Sequence, residues 1–113
     1  MAHRTDLARG DVFWIDWSPG RGSEQAGRRP GVVVQSDALA DAATSILVCP
    51  MSSDVREPGI IRPIIEPDEM NGLHARSQIM TDKLAAVRHD RIRRQLGTLD
   101  TEAIDRRDRA LLL

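Results

Sequence analysis

The chemistry in this chain concentrates in one short stretch. Gly22-Ser-Glu-Gln-Ala-Gly-Arg-Arg-Pro30 holds a carboxylate, an amide and two guanidinium groups among glycines. Glycines let a backbone approach a ligand closely and offer N–H groups to an anion. Pro30 fixes the point where the stretch meets the next element, so Arg29 beside it is better held than Arg28. A positioned guanidinium suits a phosphate undergoing reaction, because fixed charge stabilises the transition state. Composition alone also allows a solvated loop in which Glu24 pairs with a neighbouring Arg.

Four other groups are worth weighing. Ser52 follows an apolar run, and its hydroxyl could bond a phosphate oxygen or simply cap the end of a strand. Arg88, Arg91, Arg93 and Arg94, opposed by Asp90, could track a nucleic-acid backbone or form a solvated face. His74 and His89 are the residue type for acid–base work near neutral pH, but nothing in their spacing brings them together. Trp14 and Trp17 could stack on bases, although core or subunit-interface positions suit strand tryptophans better.

These groups need a scaffold. Asp11–Trp17 carries β-branched and aromatic residues on both alternating faces, which predicts a strand covered on both sides. Residues 18–29 form a long loop, and residues 30–35 a second strand. Ser36–Thr44 suits one helical turn. Ser45–Met51 is a third strand, in which Pro50 suggests an edge or a bulge. A fourth strand is predicted over Ile60–Glu66. Arg76–Asp82 and Leu84–Arg88 read as one bent strand or two short ones. His89–Arg94 is a short-helix candidate, and Gln95–Leu99 a further strand. Asp100 stands as N-cap of a helix over Thr101–Leu113, with Ile104, Leu111 and Leu112 along one side. The expectation is a mainly β, α+β domain over residues 1–113: a small antiparallel barrel of five to seven strands closed by a C-terminal helix.

Composition narrows the function. Of 113 residues, 41% are hydrophobic and 29% charged, an ordinary globular balance. Sixteen basic against seventeen acidic side chains leave a formal charge of −1, so any anion site must be local rather than global. Fifteen of the basic residues are Arg, a bias that suits phosphate but also follows from a GC-rich genome. No apolar run approaches the ~20 residues of a membrane span, and the first ten residues lack a signal-peptide core. Cys49 is the only cysteine, which precludes an intrachain disulfide and suits a reducing cytoplasm. No Cys/His spacing suggests a metal.

In this order the pieces resemble the MazF/PemK family of toxins. Four stretches carry the match: Arg9-Gly-Asp-Val-Phe-Trp-Ile-Asp-Trp-Ser-Pro19, the Gly22–Pro30 stretch running into Val-Val-Val-Gln, the strand ending Val48-Cys-Pro-Met-Ser52, and Ser77-Gln-Ile-Met-Thr-Asp-Lys-Leu84. The resemblance implies an SH3-like barrel and a homodimeric, cytoplasmic toxin of a type II toxin–antitoxin module. Such a toxin inhibits translation and growth by cutting single-stranded RNA at short sequences, without metal or cofactor, and is held inactive by a cognate antitoxin. The 2′-hydroxyl attacks the adjacent phosphate, leaving a 2′,3′-cyclic phosphate and a 5′-hydroxyl. By the same resemblance the catalytic arginine falls on Arg29, the catalytic hydroxyl on Ser52 and the loop acid on Glu24. Ser23, Gln25, Arg28 and Ser53 would contact RNA. Ser52 replaces the family's usual threonine, which keeps the hydroxyl. The three terminal leucines stand where family helices often continue. A guanidinium rarely gives up its proton, so Arg29 is expected mainly to neutralise the phosphorane-like state, with Ser52 donating to a second oxygen; the base for the 2′-hydroxyl is Glu24, or Arg29 itself as the family mechanism is often drawn. The alternative is a non-catalytic toxin of the same barrel that poisons DNA gyrase by protein binding; a third possibility is a structural SH3-like module.

Overall fold

The computed structural model describes residues 7–17, 27–34 and 45–112. Among these residues seven strands follow in chain order: β1 (Asp11–Asp16), β2 (Arg28–Val33), β3 (Ser45–Ser52), β4 (Ile64–Ile65), β5 (Ser77–Ile79), β6 (Ala85–Arg88) and β7 (Ile92–Thr98). Two 3-10 turns, Thr81–Lys83 and His89–Arg91, and the helix α1 (Thr101–Leu111) complete them. The strands form one antiparallel, strongly bent sheet in the order β4-β5-β3-β2-β1-β7, with β6 also paired to β3. This is the mainly β half-barrel with a C-terminal helix that the strand pattern predicts.

Apolar groups on both faces of β1 and β2 produce two cores. Phe13, Ile15, Val33 and Val48 pack with Ile46, Val87 and Ile92 on one side. Val12, Val32, Cys49 and Met51 pack with Ile65, Leu73, Ile79, Leu99 and Ala103 on the other. The register explains the division. Val12 pairs with Val32, Val32 with Cys49 and Val33 with Val48, so alternate residues of three neighbouring strands stack in rows. Burial pushes the Cys49 thiol up to about 11, because the thiolate would lose its hydration.

Three local expectations change, and one choice left open is decided. Pro50 lies on a central strand, not an edge. It stands where the neighbour of β3 changes from β6, paired through Val48, to β5, paired from Met51, so its missing N–H interrupts neither ladder. The fourth strand shrinks to Ile64–Ile65, since the chain before it runs through a turn. The helix expected over His89–Arg94 is one 3-10 turn, because from Ile92 the chain pairs with Ile15 of β1 and becomes strand. Tertiary pairing overrides weak local helix preference here. The Arg76–Arg88 segment resolves into two strands separated by a 3-10 turn.

Helix α1 begins as expected. Asp100 accepts the N–H of Ala103 at 2.8 Å, and Glu102 sits in the first turn. Its inward face differs from the expectation: Ala103, Arg107 and Ala110 are buried, Ile104 and Leu111 pack against the second core, and Leu112 is exposed. Arg107 has no exposed surface. It donates to the Val33 carbonyl at 2.6 Å and to Oδ1 of Asp108, while Asp108 also receives Arg9. This network ties α1 to the end of β2. The helical turn expected at residues 36–44 lies outside the described residues.

Candidate active site

Arg29 enters the structure as part of a strand, not of the preceding loop. β2 starts at Arg28 because Arg28 and Arg29 pair with Asp16 and Ile15 of β1. The residue before them, Gly27, has φ of 75°, a conformation that favours glycine, and its carbonyl accepts the Trp17 N–H at 2.9 Å. Trp17 also reaches the Arg29 carbonyl through Nε1 at 3.4 Å. Gly31 makes room for that arrangement, since a Cβ there would stand 2.5 Å from Ile15 Cδ1 and 3.3 Å from the Trp17 ring. Arg29 therefore rests on a braced backbone.

Ser52 comes to the same place from β3. The β2–β3 ladder ends at the pair Gly31↔Pro50. Carried two residues further, that register sets Arg29 across from Ser52. Alternation then puts both side chains on one face. Consistent with this, Arg29 and Ser52 line two adjoining concavities together. One, of about 330 Å³, is bounded by Trp14, Arg28, Pro30, Ser53, Leu73 and His74 among others. The second, of about 510 Å³, is bounded by Asp54, Arg56, Arg62, Gln78 and Met80. A third hollow, bounded by Trp14, Arg28, Arg93 and Arg94, continues the first.

The Ser52 hydroxyl is oriented. Its oxygen accepts the Asp54 N–H at 3.1 Å, so its own proton is available as a donor. Gln78 holds the next turn. It pairs with Ser52 in the β3–β5 ladder, is 1% exposed, and its Oε1 accepts the Arg56 N–H at 3.0 Å.

The expected site residues thus divide in two. Arg28, Arg29, Ser52 and Ser53 line one cleft. Ser23, Glu24 and Gln25 lie outside the described residues. The arginine cluster splits: Arg93 and Arg94 face the cleft with Arg28, whereas Arg88 and Arg91 border a separate hollow beside Trp17. Trp14 stands at the cleft, edge-on to His74 with ring centroids 6.3 Å apart and planes at 71°. Trp17 packs on the first core. His74 is exposed at the cleft, and His89 is buried at the 3-10 turn. Sequence reasoning gave no role to Gln78, Arg62 or the bracing of Arg29 by Trp17; a buried strand glutamine and an arginine in a turn carry no local signature. Among the described residues no cluster of His, Cys, Asp or Glu could hold a metal.

The fold and the cleft define a small β half-barrel with a concave face lined by arginines and hydroxyls, a lining whose chemistry suits an anionic chain. Residues 8–113 match the family described as PemK-like, MazF-like toxin of type II toxin–antitoxin system. A relative named probable endoribonuclease MazF, from Mycolicibacterium smegmatis, is 31% identical over 107 residues, covering 95% of this chain and 94% of its own. Endoribonuclease EndoA of Bacillus subtilis is 28% identical over 105 residues, covering 93% and 90%. The crystal structure of MazF from Deinococcus radiodurans superposes with a TM-score of 0.76 at 20% identity, covering 98% of this chain and 94% of that one. The chain belongs to the PemK-like, MazF-like toxin family. Such systems pair a toxin with an antitoxin. No helix among the described residues is long and apolar enough to cross a membrane.

Proposed function

We propose that this chain is the endoribonuclease toxin of a type II toxin–antitoxin pair, acting on single-stranded RNA by metal-independent transesterification. The observation that carries this reading is the shared cleft of Arg29 and Ser52. Its relatives are endoribonucleases by name, and the gyrase-poison alternative finds no support in them.

In this reading the scissile phosphate sits between the Arg29 guanidinium and the Ser52 hydroxyl. Arg29 neutralises the charge that builds on the phosphorane-like state. Ser52, whose oxygen already accepts from Asp54, donates its proton to a second phosphate oxygen. Glu24, or Arg29 from its neutral form, takes the proton of the attacking 2′-hydroxyl; as the new O2′–phosphorus bond forms the O5′–phosphorus bond breaks, and the 5′-oxygen takes up a proton from water to leave as a hydroxyl. Arg28, Arg93 and Arg94 guide the flanking backbone along the cleft, where Trp14 offers a ring face to a base. Ser23, Gln25 and Ser53 add further RNA contacts. The toxin works as a homodimer in the cytoplasm, which lengthens the groove, and its antitoxin silences it by covering that groove with a segment that folds on binding.

The test is incubation of the purified protein with RNA in EDTA, followed by mapping of fragment ends. Cleavage at a short recurring sequence with 2′,3′-cyclic phosphate and 5′-hydroxyl ends is expected, and its absence discards the reading. Full activity in Arg29→Ala would remove Arg29 from the mechanism.

A further inference from the structure

The concavity beyond Ser52 also holds Arg56 and Arg62, which have no part in the chemistry just described, yet they are placed with care. Its lining includes Arg56 and Arg62 together with Arg29, Ser52, Asp54 and Gln78. Arg62 is held in a two-point fork: Nε to Asp82 Oδ1 at 2.7 Å and Nη2 to Oδ2 at 2.8 Å. The Asp82 carboxyl lies below the usual range because of that hydrogen bond. The segment carrying Arg62 is stitched down on both sides. Thr81 donates through its hydroxyl to the Ile61 carbonyl, and the Ile79 N–H donates to the Pro63 carbonyl at 2.9 Å. Arg56 is placed by the Gln78 side chain and pairs loosely with Asp54 at 3.2 Å, both partners being well exposed.

Such fixing is more than a surface ion pair needs, since exposed pairs contribute little to stability. It sets the plane of the Arg62 guanidinium beside a hollow that Arg29 and Ser52 also line. Around that hollow three guanidiniums face the two carboxylates of Asp54 and Asp82, leaving a positive balance. An oriented guanidinium is the best side chain for a phosphate oxygen pair.

We infer that Arg62 and Arg56 form a second phosphate subsite, which holds a phosphate next to the scissile one and so sets the register of the RNA across Arg29 and Ser52. The inference rests on the nuclease reading above and adds to it a binding site on the opposite side of Ser52 from the Trp14–His74 cleft. Asp82 is a positioning residue for that subsite: it orients Arg62 without touching the phosphate. Because the bound group is a diester in the ground state as much as in the transition state, the subsite acts on KM more than on kcat.

The experiment uses the full chain and a synthetic oligoribonucleotide carrying the cleavage site that end mapping defines. A neutral methylphosphonate replaces one flanking linkage at a time, with 2′-O-methyl on the ribose before it. The control carries the 2′-O-methyl and a normal phosphate. One adjacent neutral linkage is expected to raise KM about tenfold, the loss expected for one charge-assisted contact. Arg62→Ala is expected to raise KM by a similar factor on the control RNA, to lower the slope of log affinity against log salt by about 0.7, and to lose nothing further at that linkage. Arg62→Lys recovers part of the affinity. Arg56→Ala, which leaves the Arg62–Asp82 fork intact, shows the same coupling in smaller measure and keeps the inference testable if Arg62→Ala fails to fold. Effects of variant and neutral linkage that simply multiply overturn the subsite while leaving the nuclease reading standing. The same holds if no flanking linkage matters. Failure of the parent protein to cleave any RNA overturns both.

Discussion

Gln78 and Ser52 are cross-strand partners on β5 and β3, and the Gln78 side chain holds the backbone of the turn that follows Ser52. A residue with 1% exposure thus fixes the group proposed to face the substrate. Replacing it with Ala removes the acceptor for the Arg56 N–H. We predict a loss of about 1–2 kcal/mol in stability and a fall of about tenfold in kcat as Ser52 loses its fixed geometry. Gln78→Glu keeps a carbonyl-type acceptor and retains more activity than Gln78→Ala. Denaturant titration alongside single-turnover cleavage separates the two effects; equal rates for all three proteins would dissociate Gln78 from the site.

The roles proposed for Arg29 and Ser52 are separable by substitution. Arg29→Ala is expected to slow cleavage by about 10²–10³, the usual loss for a donor aimed at developing charge. Arg29→Lys keeps the charge but not the fork, and falls between. Ser52→Ala loses the second donor and is slowed less than Arg29→Ala, while Ser52→Thr keeps the hydroxyl and stays active. Initial rates at saturating RNA give this order; a Ser52→Thr enzyme as slow as Ser52→Ala would mean that the hydroxyl does not act.

Asp108 links stability to pH. Burial works against its ionised form, but hydrogen bonds and charge from Arg9 and Arg107 outweigh it, and the folded carboxyl lies below the ordinary range. A folded-state value below the unfolded one, about 3.9, contributes stability in full above that value. The contribution is lost as pH falls through the folded value. Asp82, lowered chiefly by its bond from Arg62, acts in the same direction. Thermal unfolding of Asp108→Asn between about pH 2 and pH 6 should show a shallower loss on acidification than the parent. An unchanged profile would assign the acid sensitivity elsewhere.

Gly97 holds β7 tightly against the turn before β5. A Cβ there would lie 2.1 Å from the Met70 carbonyl oxygen and 2.6 Å from the Asn71 carbonyl carbon, all backbone. Backbone cannot step aside as a side-chain tip can. Gly97→Ala is expected to cost about 1–3 kcal/mol and, because Leu96 lines the cleft, to weaken RNA binding as well. Chemical denaturation measures the first and a binding isotherm the second; a neutral Gly97→Ala would mean that β7 and the turn pack more loosely than these distances state.

The linear chain by itself determined the elements whose signals are local. β-branched and aromatic residues from Asp11 to Asp16 make a strand in any context that covers both faces, and they obtained one. Asp100 capped its helix because the cap needs only a side-chain oxygen three residues from a free N–H. The glycine-flanked arginines before Pro30 and the serine that ends β3 were legible as a candidate site from residue type and order. Tertiary structure alone decided the rest. Ile92–Arg94 became strand because β1 offered a partner, which no local preference encodes. Pro50 sits in the middle of the sheet because two neighbours meet at that point. Arg107 shares a helix face with Ile104 and Leu111, but only the tertiary structure supplies the Val33 carbonyl and Asp108 that satisfy its donors and let it be buried. The Arg62–Asp82 fork joins residues twenty apart, and its place beside Ser52 follows from how β5 folds back onto β3. Contacts of that range depend on register and sheet curvature, which are properties of the packed chain and not of any segment within it.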